Sequence, residues 1–383
     1  MEMHKEKAAA LAAIDEKKEL IAQTADKIWD YAELSMQEVQ SAALLCSVME
    51  QEGFAVEKGI CSIPTAFSAS YGSGKPVIGF LAEYDALSGL SQAAGSTEYH
   101  QLVKGSSGHG CGHNLLGVGA MAAAIGMKHY LQSTGKSGTV ILYGCPGEEG
   151  VASKAYMARE GLWYGLDAAL TWHAGDCNEV ATGSTNSCIQ MVYTFHGVAS
   201  QASTAPERGR SALDAVELTS VGANYLREHV TSDVRIHYVI KEGGTAPNIV
   251  PDKASVWYYV RALSREAVED TYRRLVKVAE GAAHMTETEL EVECLGGCYN
   301  TLNPVMLTNL THDVMEEVER PHWTEEELAF AKILNEKSQQ YEKVKASGAL
   351  EDGPLDTKVS PVLNENGYGS TDVGDVQHIV PCV

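Results

Sequence analysis

Residues 1–53 alternate apolar and charged positions at helical spacing, and Ile21, Ala25, Ile28 and Trp29 fall on one face. Gly53 predicts a helix stop. Strand-like runs follow near 63–71 and 76–82, divided by the turn sequence YGSGKP. Asn114 stands in a helix-cap position before LLGVGAMAAAIGMKHYL, whose Gly and Ala content suits close packing on a sheet. TVILYG and DAALTW are short, continuous apolar runs, the pattern of parallel strands buried on both faces. Strands alternating with helices in this way predict a three-layer α/β domain.

The pattern changes near residue 188. CIQMVYTFHG reads as a strand, GRSALDAVELTSVGANYLREHV as a helix, VRIHYVI and ASVWYYVRA as strands, SREAVEDTYRRLVKVAEGAAHM as an amphipathic helix and TELEVECL as a last strand. The order βαββαβ over roughly residues 188–295 predicts a split-βαβ unit with its own core, inserted into the first domain. After Leu302 the pattern is helical to about Lys345. A polar loop rich in Pro and Gly is expected over 345–367, and GSTDVGDVQHIVPCV ends the sequence. The expected organisation is a catalytic domain in two parts, 1–187 and 299–383, around an inserted domain at 188–298. No internal repeat or low-complexity tract is present.

With 383 residues, 44% hydrophobic and 21% charged, the chain can bury a sizeable core in two or three domains. A formal net charge of -22 disfavours nucleic acid and anionic membranes as partners. Nine cysteines, an odd number at irregular spacing, argue against a disulfide framework. The N-terminal stretch has no apolar signal-peptide core, and no apolar run approaches the ~20 residues of a membrane span. We read a reduced, cytoplasmic protein.

Four apolar runs each end in residues that bind metals: Glu83-Tyr84-Asp85, Cys111-Gly112-His113, Glu148-Glu149 and His173. Open α/β sheets bind ligands beyond the carboxyl ends of their strands, so one shared site is expected there. Carboxylate, imidazole and thiolate together suit a divalent transition metal, zinc or manganese first. Each piece alone has a plainer reading. A Cys-x-His is more often a buried thiol beside a surface histidine. An adjacent Glu pair is usually solvated, and a lone histidine is usually structural. Two adjacent carboxylates on a cleft floor repel unless a cation sits beside them, and one can ligate while the other faces water. Asp85 and Glu83, two apart, can bridge metals or orient a histidine ligand. Cys294 and Cys298 lack the second pair that a metal knuckle needs. A Gly-x-Ser-x-Gly elbow and a Walker motif are both missing. A cysteine nucleophile at Cys111 activated by His113 is a competing chemistry, made awkward by the single residue between them.

LAEYDAL, GHGCGHN, GCPGEEG, TWHAG, GRSALDAVE, GGTAPNIVPD and GSTDVGDV occur in the order found in di-metal aminoacylase/carboxypeptidase-like amidohydrolases. The chain resembles that metallopeptidase family along its whole length, above all its branch of p-aminobenzoyl-glutamate hydrolase-like amidohydrolases. The resemblance implies a three-layer zinc-peptidase-like α/β catalytic domain interrupted by a ferredoxin-like lid that also dimerises. It implies two divalent metal ions, zinc or manganese, with Cys111, His113, Glu149 and His173 as ligands. It makes Glu148 the general base and Asp85 an orienting residue. Glu83 stands where relatives outside this branch carry a metal-binding histidine. Asn248, Arg210 and Gln201 match substrate-binding lid positions, and Gln201 replaces a lid histidine that resembles an oxyanion stabiliser reaching across the dimer. Loss of an oxyanion donor costs on the order of 100- to 1000-fold in turnover.

The expected activity is hydrolysis of the amide bond of N-acyl amino acids, aminobenzoyl-glutamate-type amides or dipeptides. The expected partners are a small-molecule amide substrate, a second copy through the lid and a possible second, different subunit, with no nucleic acid and no membrane. The family continues past GSTDVGDV through a Gly-x-x-x-His-type segment that supplies another ligand, so the sequence is expected to be C-terminally truncated. A metal-binding pseudo-hydrolase is the alternative that Gln201 and that ending favour.

Overall fold

The computed structural model describes residues 5–346, 348, 350 and 353–383. The chain divides into two compact units. The first holds the residues up to Thr182 with Asn303–Asn364 and Ile379–Val383, and the second holds Gly183–Leu302 with Glu365–His378.

In the first unit, α1 (Lys5–Asp15), α2 (Lys18–Tyr31) and α3 (Val39–Gln51) precede the strands β1 (Ala55–Lys58), β2 (Phe67–Ser73) and β3 (Val77–Ala82). Then come α4 (His113–Thr134), β4 (Gly138–Gly144), α5 (Ser153–Arg159) and β5 (Ala168–Leu170). The sheet order is β1-β2-β4-β3-β5. β3 runs parallel to both β4 and β5, and β2 is antiparallel to β1 and β4. Alternation along the strands sends Phe67, Ala69, Phe80, Val140 and Leu142 to one face. There they pack on Ile28, Leu45, Met49, Met121 and Ile125 of the helices. On the other face Tyr143 meets Trp163 edge-on, with ring centroids 5.1 Å apart. Layers on both faces explain the continuous apolar runs of β3, β4 and β5.

Two local expectations change. The strand expected from 63 begins at Phe67, because a 3₁₀ turn over Ile60–Ser62 and Pro64 occupy the preceding residues. Asn114 is not the helix cap: Gly112, at φ +83°, takes that place and Asn114 lies buried within the first turn, donating from Nδ2 to Ala25 O at 3.4 Å. Only a residue at ease in the left-handed region fits the cap, which glycine supplies.

The second unit contains β6 (Ser187–His196), α6 (Ala212–Leu226), β7 (Arg235–Glu242), β8 (Lys253–Ala262), α7 (Arg265–Thr286) and β9 (Glu289–Cys298). Its antiparallel sheet, ordered β7-β8-β6-β9, is the βαββαβ arrangement. Tyr193, Phe195, Val256 and Tyr258 pack on Ala215, Val216, Leu275 and Ala279 of the two helices. Cys298 pairs with Cys188 across β6 and β9, sulfurs 3.5 Å apart, while Cys294 is exposed.

α8 (Val305–Glu317), α9 (Glu325–Lys337) and α10 (Tyr341–Ala346) return to the first unit, and α9 opens on a Thr324/Glu327 capping box. The described residues of the loop expected over 345–367 hold no helix beyond Ala346 and no strand; positions 347, 349, 351 and 352 lie outside the described residues, as do residues 1–4. α11 (Val373–Gln377) follows, and Cys382 bridges Ala169 in parallel at the edge of the first sheet. No helix among the described residues is long and apolar enough to cross a membrane.

Candidate metal centre and catalytic carboxylates

The site grows from the ends of β3 and β4 and the start of α4, all in the first unit. Gly117 lets α4 lie directly on the chain after β3: a Cβ there would stand 2.5 Å from Glu83 O. This places fully buried His113 over two buried carboxylates. Its Nδ1–H donates to Asp85 Oδ1 at 3.0 Å, and its Nε2 lies 3.2 Å from Glu83 Oε2 and 4.0 Å from Glu149 Oε1. Asp85 is fully engaged, since its Oδ2 also accepts from Ser35 Oγ at 2.7 Å and from Glu149 N at 3.0 Å. Burial alone would lower the His113 pKa, but hydrogen bonds with Asp85 and Cys111 and the charges of Glu83 and Asp85 carry it up to about 11. Burial would raise the Asp85 pKa, yet the bond and charge of His113, with Ser35 and the Glu149 amide, hold it below the usual value.

Cys111 and His173 come from two other loops and meet with Sγ 3.2 Å from Nε2. Nδ1–H of His173 donates to Ala174 O at 2.8 Å, which leaves Nε2 as the nitrogen turned to Cys111. Hydrogen bonds from His113 and His173 lower the Cys111 thiol pKa, and the Cys111 contact, against burial, pushes His173 up to about 9. Ligand atoms of Cys111, His113 and His173 lie within 4.8 Å of one another, as do those of Glu83, His113 and Glu148.

These residues fit divalent ions. His113 Nε2 and Glu149 Oε1 are both buried without a hydrogen-bond partner among the described residues, and they face each other across 4.0 Å. Nitrogen and carboxylate oxygen each bind zinc at about 2.0–2.2 Å, so an ion between them would satisfy both. Asp85 and Ala174 O meanwhile hold the two imidazoles by Nδ1 and leave Nε2 turned to the cluster, an arrangement that would suit a histidine-bound metal.

Three supporting residues were not foreseen from the sequence. Lys154 of α5, fully buried, sets its Nζ 2.6 Å from Glu83 Oε1. Ser35 holds Asp85. Glu38, fully buried, accepts from Met36 N and Gly147 N through Oε1, both at 2.8 Å, and from Thr65 Oγ1 at 3.2 Å, so it fixes the turn that carries Glu148. None of the three carries a local sequence signal.

Burial raises the Glu38 pKa from 4.5 to about 7, against the backbone amides that lower it. The folded state therefore binds a proton that the unfolded chain releases. Its contribution to stability is present below pH 4.5 and is lost as pH rises through about 7. Glu38→Gln keeps the same acceptor and offers its amide to Thr65. It is expected to unfold in urea like the wild type near pH 5 and to be the more stable protein at pH 8, by about 3 kcal/mol. A gap that does not change between those two pH values would refute the assignment.

The lid positions form a cluster of their own in the second unit. Gln201 bridges Ile249, Asn248 O accepts from Ala202 N at 2.9 Å, and Arg210 bridges Val198. Gln201 Oε1 is turned back on its own loop, accepting from Ser203 N at 2.7 Å and Thr204 N at 2.6 Å. The Arg210 guanidinium donates to Glu287 Oε2 at 2.5 Å. His196 lies on β6 against Glu291, and His378 Nε2–H donates to Asn300 O at 3.0 Å.

The peptidase dimerisation domain of the M20 family matches residues 184–286. The chain is 42% identical over 388 residues to the B subunit of p-aminobenzoyl-glutamate hydrolase from Escherichia coli strain K12, covering 96% of this chain and 80% of that one. It is 28% identical to the mouse Xaa-Arg dipeptidase over 78% of this chain and 68% of the dipeptidase. Among solved structures, a dinuclear metal-binding M20 peptidase from Bacillus subtilis superposes with a TM-score of 0.57 at 19% identity, over 95% of this chain and 88% of that one. That likeness gives the fold, an α/β zinc-peptidase-like domain with an inserted α+β unit. The identity over nearly all of the chain gives the family, and the protein belongs to the M20 family of amide-bond hydrolases.

Proposed function

We propose that this chain hydrolyses the amide bond of N-acyl amino acids, aminobenzoyl-glutamate-type amides or dipeptides with two divalent ions, zinc or manganese. The observation that carries the reading is Glu149 Oε1, buried without a hydrogen-bond partner among the described residues and 4.0 Å from His113 Nε2, beside the Cys111–His173 contact. Cys111, His113, Glu149 and His173 would hold the ions, with Glu83 within reach of the same centre. Bound there, the ions would acidify a water and polarise the amide carbonyl.

The chain's own residues handle the protons. Glu148 takes the proton of the attacking water and returns it to the leaving amine. Asp85 fixes the His113 tautomer and, through the Glu149 amide, the strand end that carries both glutamates. Asn248, Arg210 and Gln201 are the substrate-contacting residues of the second unit, and that unit joins two copies of the chain. A second, different subunit is a further possible partner, by analogy with the Escherichia coli hydrolase, whose matching chain is one subunit of the enzyme. All nine cysteines are free thiols, which fits a reducing cytoplasm and a Cys111 available as thiolate ligand.

The Cys111–His173 contact at 3.2 Å also favours a second reading, a cysteine nucleophile paired with His173 rather than with His113. Chelation separates the two. We expect close to two metal ions per chain by mass spectrometry, hydrolysis of an N-acyl amino acid and dipeptide panel, loss of activity on chelation and its return with zinc or manganese. Activity that survives complete metal removal would sink the metal reading in favour of the cysteine. Full metal occupancy without turnover on the panel would leave a pseudo-hydrolase.

A further inference from the structure

Beside the metal centre, the first unit holds a cleft of about 770 Å³ between α2 and the glycine-rich loop that carries Cys111. One wall is a single face of α2, with Asp26, Trp29 and Asp30. The other contains His109, Cys111 and Asn114. Asp26 and Asp30 are four residues apart, so their carboxylates are neighbours and repel. Neither makes an ion pair among the described residues, no Lys or Arg lines the cleft, and Lys27, one position along, points to a different face.

Two nearly buried residues of the deeper wall carry acceptors behind its surface. His109 is 5% exposed and donates from Nε2 to Ile28 O at 3.0 Å, which leaves Nδ1 an acceptor. Asn114, also 5% exposed, donates from Nδ2 to Ala25 O, which leaves Oδ1 an acceptor. Both atoms are buried without a partner among the described residues. Trp29 adds an indole ring, its centroid 6.4 Å from that of His109. Two exposed carboxylates without an ion pair and an aromatic face, backed by two buried acceptors, share one complement, a cation rich in N–H donors. Cys111 lies in the same wall, so a group bound here sits next to the centre that the amide must reach.

We propose that this cleft is a subsite for an ammonium or guanidinium group at the end of the substrate's side chain. The assignment of that cation to a substrate rests on the amidohydrolase reading, while the cation site itself does not. A substrate carboxylate placed here would meet two like charges, so an acidic side chain must be accommodated elsewhere.

The test has two arms. In the first, the metal-free protein is titrated calorimetrically with cadaverine and with valerate at about 0.15 M salt, where diffuse attraction to an acidic protein is screened. Cadaverine is expected to bind and valerate not to. Asp26→Asn/Asp30→Asn should weaken cadaverine about tenfold, while Glu325→Gln/Glu326→Gln, on the exposed first turn of α9, should not. In the second arm, the metal-loaded enzyme is compared on glycyl-lysine and glycyl-norleucine, which differ at the terminal ammonium. The ratio of their kcat/KM values should favour lysine and fall about tenfold in the Asp26/Asp30 variant, mainly through KM. Cadaverine that fails to bind, or that binds both acidic-residue variants alike, overturns the proposal. Cadaverine binding as expected with no dipeptide cleaved leaves the cation site standing and removes the amidohydrolase reading instead.

Discussion

Glu148→Gln should leave the protein with its full complement of metal and take turnover down by about 100- to 10,000-fold, the range for losing a general acid–base group. Glutamine preserves the shape of the side chain and one carbonyl-type oxygen but cannot take up the water's proton. The adjacent Glu149→Gln should behave differently. Glu149 Oε1 faces His113 Nε2 at 4.0 Å, so its loss removes a ligand charge and should show first as lower metal content. The contrast is needed because Glu148 also lies within ligand distance of Glu83 and His113, so geometry alone allows it to bind an ion. Metal stoichiometry and kcat measured on both variants separate the roles. If Glu148→Gln loses metal, Glu148 is a ligand; if it hydrolyses amides at the native rate, it is not the base.

The elements with strict periodicity were legible in the sequence. β6, β8 and the two helices α6 and α7 read correctly because each has a core face repeating at 2 or 3.6 residues. β3 and β4 read correctly because both of their faces are covered. β1 did not stand out, because AVEK is an exposed edge strand with hardly a buried position. The cap of α4 was misplaced by two residues, since a glycine at positive φ serves as well as an asparagine side chain and only the backbone shows which is used.

The same division holds in the site. Glu149 and His173 drew notice because each follows an apolar run at a strand end, and Cys111 and His113 because a glycine-rich loop sets them just before a helix; the structure gathers Cys111, His113 and His173 into one cluster. What supports them is long-range and carries no local pattern. Glu38 reaches Gly147 across 109 positions and Lys154 reaches Glu83 across 71. Such pairs are set by packing, so a buried charge in the sequence announces that a partner exists without saying which one.

Lys154 is where that hidden layer should matter most. Both of its pairing groups are out of water, the ammonium fully buried and Glu83 2% exposed. Removing one partner of a buried ion pair leaves an uncompensated charge, which costs about 3–5 kcal/mol. Lys154→Met is expected at the lower end, near 3 kcal/mol, in urea unfolding of the metal-free protein, because His113 Nε2 at 3.2 Å remains to share the Glu83 charge. Glu83→Gln/Lys154→Met should recover most of the loss, since the pair is then replaced rather than broken. Metal then tests whether Glu83 is a ligand. In the wild type the ammonium draws one carboxylate oxygen away from the centre and repels an incoming cation. In Lys154→Met that oxygen is free to bind the ion, so saturating zinc should stabilise the single variant more than the wild type and close the gap between them. The double variant should gain no such advantage. A Lys154→Met protein within about 1 kcal/mol of wild type without metal would show that the Glu83–Lys154 pair is no burial problem at all. A gap that zinc leaves unchanged would confine Glu83 to holding His113 and Lys154 in place.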